Sequence, residues 1–226
     1  MPAPITVVIP TLNAADTVGP TLACLYQAMG KSLINEVIFA DGGSIDHTAQ
    51  IADEAGVEVV KAPKGRGSQL STGAKAAKGQ WLLFVHADTV FSADWETHMR
   101  AHINTQTKAG YCKLSFDTNG FAPVIIAGMA NIRSRLFGLP YGDQALLISK
   151  KLYQQVGGYP DIPLMEDVAL ARKLRGKMMP MPITASTGAQ RYIKDGWFAR
   201  SRKNLITLAL YFIGVTPEKL AKRYNR

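Results

Sequence analysis

Hydrophobic positions in the first ninety residues fall into short unbroken runs, each cut off by polar groups. The run Ile5–Ile9 stops at Pro10 and hands over to Thr11 and Asn13. Val37–Ala40 gives way to Asp41, Gly42, Gly43 and Ser44, and Trp81–Val85 to His86, Ala87 and Asp88. Short apolar runs bounded by turn residues predict buried strands. Helical spacing fills the gaps. Strand 4–10 precedes a helix over 14–29 with Gly30 as its stop, and strand 35–40 a helix over 46–55 stopped by Gly56. A short strand 57–61 precedes a small-residue helix over 66–78, and strand 80–86 a helix over 92–107. This alternation predicts an α/β fold with a parallel sheet covered by helices.

After residue 108 the pattern changes. Residues 111–116 alternate like a strand with one exposed face, and 123–137 reads as a helix. A short strand 145–149, a helix 150–156 closed by Gly157 and Gly158, a helix 167–175 and a strand 181–186 follow. A helix over 196–212 ends the chain, with Pro217 opening a last short one. No repeat is visible.

Open α/β sheets bind ligands outside the carboxyl ends of their strands, so the three polar strand ends define where chemistry should sit. Asp41-Gly42-Gly43-Ser44 combines a carboxylate with glycines that let a ligand approach the backbone, and with N–H groups at a helix start. The same residues would also serve as an ordinary turn and helix cap. Gly65, Arg66 and Gln69 lie in a second Gly-rich loop before a helix; its cations suit a diphosphate, although the loop lacks the spacing of a P-loop. Asp88 at a strand tip suits Mg²⁺ or Mn²⁺ carried by a diphosphate, whereas His86 fits packing or a hydrogen bond better than ligation of so hard an ion. Glu166 and Asp167 open a helix, where the helix dipole favours acids and a proton acceptor could equally stand. His98 and His102 lie one turn apart without a third ligand and read as an exposed helix face.

Composition narrows the class without naming it. The 226 residues suit one domain, with 47% hydrophobic residues and a mean hydropathy of 0.00. No secretory signal is expected, and the longest apolar stretch, Leu205–Val215, falls well short of the roughly 20 residues of a membrane span. Cys24 and Cys112 have no paired spacing and read as buried free thiols of a cytoplasmic protein. The net charge of +9 is concentrated in residues 191–226, which hold nine Lys/Arg (Arg226 among them) against Asp195 and Glu218. The nearly neutral remainder argues against nucleic acid as a partner. The basic tail, beside an apolar helix with Trp197, Phe198, Leu205, Ile206, Leu208, Leu210, Tyr211 and Phe212, suggests packing or a homodimer first, and peripheral contact with an anionic inner membrane surface second.

Taken in order, these segments resemble glycosyltransferase family 2, whose members have the GT-A fold, a Rossmann-like, mostly parallel mixed sheet flanked by helices. Val7–Asn13 is similar to the family's opening strand and loop. Asp41–Thr48 resembles its Asp-Gly-Ser-x-Asp-x-Thr segment, and Gly65-Arg66-Gly67-x-Gln69 with Gly73 its donor-binding helix. His86-Ala87-Asp88 stands where the family has Asp-x-Asp, and Gly157-Gly158-Tyr159 followed by Glu166-Asp167 resembles its Gly-Gly-Phe and Glu-Asp pair. Tyr141–Ala145, Met165–Val168 and the ending Gly214–Ala221 are similar to the compact bacterial subfamily labelled arsenosugar-biosynthesis glycosyltransferase, or radical-SAM/selenodomain-associated transferase 2.

The resemblance implies one GT-A domain, with residues 1–107 as the nucleotide-sugar half, 108–190 as the acceptor half and 191–226 as basic C-terminal helices. It implies an inverting transfer from a nucleoside-diphosphate sugar, a UDP-sugar first among them, to an acceptor hydroxyl. Pro10, Thr11, Asn13, Asp41 and the Gly42-Gly43-Ser44 turn would hold the nucleoside. Gly65, Arg66, Gln69, Ala87 and Arg191 would approach the diphosphate or sugar. Asp88, with His86 as a weaker ligand, would bind Mn²⁺ or Mg²⁺. Asp167 would be the general base, with Asp143 and Glu166 as competing carboxylates. Where the family has its first acid this chain has His86, which leaves a binding scaffold without catalysis as the alternative. A sugar nucleotidyltransferase would need a basic Gly-rich loop after the first strand, where this chain has Pro10–Asn13.

Overall fold

Eight strands form one sheet in a computed structural model that describes residues 3–224; Met1, Pro2, Asn225 and Arg226 lie outside the described residues. The strands are β1 (Ile5–Thr11), β2 (Ile34–Asp41), β3 (Glu58–Lys61), β4 (Trp81–Phe84), β5 (Thr89–Phe91), β6 (Ala109–Phe116), β7 (Leu146–Ser149) and β8 (Met178–Thr187). Their order across the sheet is β3-β2-β1-β4-β7-β6-β8-β5. The β3-β2-β1-β4 block is parallel, as is β6 with β8, while β7 runs antiparallel to both β4 and β6. The sheet is therefore mixed and mostly parallel.

Among the described residues there are ten α-helices: α1 (Val18–Met29), α2 (Thr48–Glu54), α3 (Arg66–Ala76), α4 (Trp95–Thr105), α5 (Phe121–Phe137), α6 (Lys150–Gln155), α7 (Glu166–Lys173), α8 (Gln190–Asp195), α9 (Trp197–Phe212) and α10 (Pro217–Tyr224). One apolar core gathers alternate residues of β1, β2 and β4 (Val7, Ile9, Phe39, Leu83) with α1 and α4; a second gathers Val8, Ile38, Leu82 and Phe84 with α3 and α6. A sheet covered on both faces explains why these strands read as unbroken apolar runs. Helix α3 comes unusually close to β1, because a Cβ on Gly73 would lie 2.4 Å from Val8 Cγ1.

Helix α1 starts four residues later than its spacing predicts. The amides of Ala14 and Ala15 donate to Thr48 Oγ1 (2.8 Å) and Asp46 Oδ2 (3.0 Å), which holds this stretch as a turn tied to the next loop. Strand β5 and helix α8 are too short to leave a periodic signal. His102 is buried, not exposed: its Nε2 lies 2.9 Å from Lys108 O, and its ring meets Trp81 edge-on. Cys24 and Cys112 are buried free thiols, and burial raises the pKa of both. Among the described residues no helix is long and apolar enough to cross a membrane.

Candidate active site

The carboxyl ends of β1, β2 and β4 open on one edge, and the loops after them are stitched together by side chains. Asp41 Oδ1 accepts from Thr11 Oγ1 (3.0 Å) and Ser44 Oγ (2.5 Å), and Oδ2 from the Gly43 and Ser44 amides (2.9 Å each). Burial pushes this carboxyl up, but the bonds from Ser44, Gly43 and Thr11 outweigh it and hold its pKa below the ordinary value. All four acceptor positions are engaged, so Asp41 builds the turn first. A base edge could reach it by replacing the Ser44 hydroxyl. Asn13, at φ 52°, accepts from the Ile45 amide through Oδ1 (2.9 Å), and its own amide donates to Ser44 Oγ (2.8 Å).

Thr11 and Gln69 differ from the expectation that they touch a donor. Thr11 is fully buried, with its hydroxyl on Asp41. Gln69 is 6% exposed, and its Nε2 donates to Thr11 O (2.6 Å) and Ala40 O (2.9 Å). That amide nitrogen straps the ends of β1 and β2 together. A short polar side chain beside an apolar strand gives no sequence sign of which backbone it will bind.

Arg66 opens α3 and faces the second half of the chain. Its Nε lies 3.8 Å from Glu166 Oε1 at the start of α7. The approach depends on Gly67, whose Cβ would stand 2.3 Å from Pro160 O and 3.3 Å from Glu166 Cβ. Ser68 Oγ donates to Asp161 Oδ1 on the same loop. The Glu166 side chain is only 4% exposed; burial raises its pKa and the Asp167 charge adds, against the pull of Arg66. Glu166 is therefore the buried counter-ion of Arg66 and is poorly placed to meet an acceptor.

Asp167 is more accessible. Its Oδ2 accepts from the Gly142 amide (3.0 Å) and its Oδ1 from the Val168 amide (2.7 Å). The bond to Gly142 ties α7 to the loop 140–145, which also carries Asp143. Burial pushes the Asp143 carboxyl up to about 6, partly opposed by Arg133 and reinforced by Asp167. Backbone strain flanks both acids: Ala145 at φ 50° and Met165 at φ 68° are left-handed without being glycine.

Arg133 is not evident from the sequence, and Tyr141 reads there only as part of a motif. Arg133 of α5 lays its guanidinium 3.5 Å from the centroid of the Tyr141 ring. Arg133 Nη2, Tyr141 Oη, Asp143 Oδ1 and His86 Nε2 are all buried without a hydrogen-bond partner. His86 Nε2 rests against Gly142, where a Cβ would come within 2.7 Å. Burial, with Arg66 and Arg191 adding, holds His86 well below its ordinary pKa, so the ring is neutral at pH 7. Buried polar atoms without partners cost free energy unless water or a ligand satisfies them, so this group marks a polar recess.

Asp88 stands at the far end of the edge. Its Oδ1 accepts from Thr187 Oγ1 of β8 (3.1 Å), and Oδ2, with no donor among the described residues, faces Gly188, where a Cβ would meet it at 2.9 Å. Among the described residues no group of three His, Cys, Asp or Glu could hold a metal ion. One free carboxylate oxygen fits a divalent ion only when other ligands come with a diphosphate, since such ions take about six oxygens. Arg191, on α8, adds its charge to the field at His86.

Sheet order and flanking helices together define an α/β fold of the GT-A type. Residues 6–124 match the profile described as Glycosyl transferase family 2, just over half of the chain. The protein belongs to that family. Among solved structures it is similar to TarS residues 1–349 of S. aureus in complex with UDP-GlcNAc, at 17% identity and a TM-score of 0.63. That alignment covers 81% of this chain and 58% of TarS 1–349, so the chain spans less than two thirds of that relative. Glucosyl-3-phosphoglycerate synthase of Mycobacterium tuberculosis, with Mn²⁺, UDP and glucosyl-3-phosphoglycerate, matches at 18% identity and a TM-score of 0.60, over 94% of this chain and 81% of that one. The mannosyltransferase PcManGT of Pyrobaculum calidifontis, with GDP-Man and Mn²⁺, matches at 14% identity and a TM-score of 0.64, over 100% and 69%. At such identities the likeness concerns the fold alone. No curated protein sequence matches the chain.

Proposed function

We propose that the protein transfers a sugar, with inversion, from a nucleoside-diphosphate sugar to an acceptor hydroxyl, and that Asp167 is the general base. The observation that carries this reading is the position of Asp167. It is half-buried and held by the Gly142 amide (3.0 Å), and its charge, with those of Asp143 and Asp88, acts on Arg66. Similar folds hold UDP-GlcNAc, UDP with Mn²⁺, and GDP-Man with Mn²⁺, which supports a nucleotide-sugar donor here. The nucleoside would lie against Pro10, Asn13, Asp41 and the Gly42-Gly43-Ser44 turn. Gly65, Arg66, Ala87 and Arg191 would line the diphosphate and sugar.

Asp88 Oδ2 is the atom available to a divalent ion, Mn²⁺ or Mg²⁺, which would offset charge on the leaving diphosphate. His86 is better fitted to a hydrogen bond in the recess than to ligation. The acceptor would enter beside Arg133, Tyr141 and Asp143, where the unpartnered atoms can both donate to and accept from hydroxyls. Asp167 would take the proton of the attacking hydroxyl as the anomeric carbon–oxygen bond to the diphosphate breaks. Residues 1–107 would form the donor half, 108–190 the acceptor half and 191–226 the appended basic helices of one domain. Within the family, the motifs Tyr141–Ala145, Met165–Val168 and Gly214–Ala221 support a reading as the subfamily labelled arsenosugar-biosynthesis glycosyltransferase.

Asp167→Asn tests the assignment. It should retain nucleotide binding and lose about 10²–10⁴-fold in transfer, the usual worth of a general base. Full turnover by this variant would move the base to Asp143.

A further inference from the structure

Helix α5 carries the site's Arg133 on one side and an uncovered apolar stripe on another. Phe121, Val124, Ile132 and Leu136 are 80%, 70%, 59% and 70% exposed, at spacings that put them along one helical face. Its neighbour α9 repeats the arrangement with Phe198, Leu205 and Phe212, which are 63%, 55% and 48% exposed. Seven large apolar side chains this exposed on two neighbouring helices are the kind of surface that marks an interaction site. The part of α9 that packs is different: Trp197 stacks on Tyr192, and Leu208, Leu210 and Tyr211 meet the cluster around Leu139, Val168 and Leu220.

Charge says what covers this face. Helix α5 has no acid and carries Arg133 and Arg135; α8 and α9 carry Arg191, Lys194, Arg200, Arg202 and Lys203 against Asp195 alone. Asp195 is already paired with Arg200 at 2.6 Å. A second copy meeting this face about a two-fold axis would oppose basic groups to basic groups. An anionic lipid surface satisfies both features, taking the apolar stripe among its acyl chains and the Lys/Arg at its headgroups.

We propose that α5 and α9 form a membrane-docking face that seats the protein on an anionic bilayer, with α5 between the lipid and the polar recess of the site. The proposal rests on exposure and charge and does not depend on the catalytic reading.

The test is co-sedimentation of the full chain with vesicles of phosphatidylcholine containing about one third phosphatidylglycerol, against pure phosphatidylcholine, at low and high salt. Binding should require the anionic lipid and weaken with salt. Replacing Ile132 and Leu136 by Ser should weaken it about tenfold or more, as should Arg135→Glu with Arg202→Glu, with an unchanged melting temperature. Two results would overturn the proposal: wild-type protein that stays in the supernatant at low salt, or a dimer in light scattering that the Ile132/Leu136 variant abolishes. Nucleotide binding by the same variants, which should be intact, separates this face from the donor site.

Discussion

Replacing Gln69 by Leu should destabilise the protein before it touches chemistry. The side chain is 6% exposed, and its Nε2 donates to Thr11 O at 2.6 Å and Ala40 O at 2.9 Å. Leu conserves most of the volume and removes both bonds. Thr11 O keeps the Gly42 amide at 2.9 Å, so the loss is partial there. A buried acceptor deprived of its donor costs about 1–3 kcal/mol. For a chain of this size that corresponds to roughly 2–12 °C in melting temperature. Gln69→Glu should cost more, because it sets a carboxylate against two carbonyl oxygens; acid that protonates it should recover part of the difference. The assay is thermal unfolding followed by circular dichroism, with nucleotide affinity by calorimetry alongside. A Leu variant that melts within a degree of wild type while losing tenfold in nucleotide affinity would refute the strap and return Gln69 to the donor.

Other consequences are more local. The raised Asp143 pKa means that its folded form holds the proton more tightly than the unfolded chain. Its contribution to stability is then complete below about pH 4 and is lost as pH rises toward 6. Asp143→Asn should therefore stabilise the unliganded protein at pH 7.5 by about 1–3 kcal/mol, with the gain vanishing near pH 4 in denaturant titrations; an unchanged midpoint at pH 7.5 would contradict the burial of that charge. Gly67→Ala should destabilise by about 1–3 kcal/mol and disturb Arg66, because the new Cβ falls 2.3 Å from Pro160 O; a well-folded variant with intact nucleotide binding would show that α3 does not need this approach. Asp88→Asn should abolish the Mn²⁺-dependent part of UDP binding measured by calorimetry and leave the metal-free part, whereas unchanged metal dependence would place the ion elsewhere.

Much of the strand edge was legible because it is local. Strands β1, β2 and β4 each write their end as a change from apolar to polar within two residues, and parallel pairing puts those ends on one edge. Asp41, Asn13 and Ser44 were readable for the same reason, although their mutual hydrogen bonds were not. The second half of the edge was less readable because it is assembled by antiparallel insertion. Strand β7 enters between β4 and β6, and this carries the 140–145 loop up to His86 and Asp167. Arg133 could not be told from any other Arg on a helix, since only tertiary packing decides that it turns inward over Tyr141 while Arg135 stays outside. His102 misled for the reverse reason: helical spacing alone does not show that β4 supplies Trp81 to cover it.

On the proposed function, this edge holds and cleaves an activated sugar. The most direct measurement is nucleoside-diphosphate release from a panel of UDP-, GDP- and dTDP-sugars, with Mn²⁺ or Mg²⁺, by the wild-type chain and the Asp88→Asn variant. The account predicts metal-dependent release from at least one donor, slow to water and faster with a hydroxyl acceptor, and its loss in Asp88→Asn. Binding and release of none of these donors by a folded wild-type protein would contradict it.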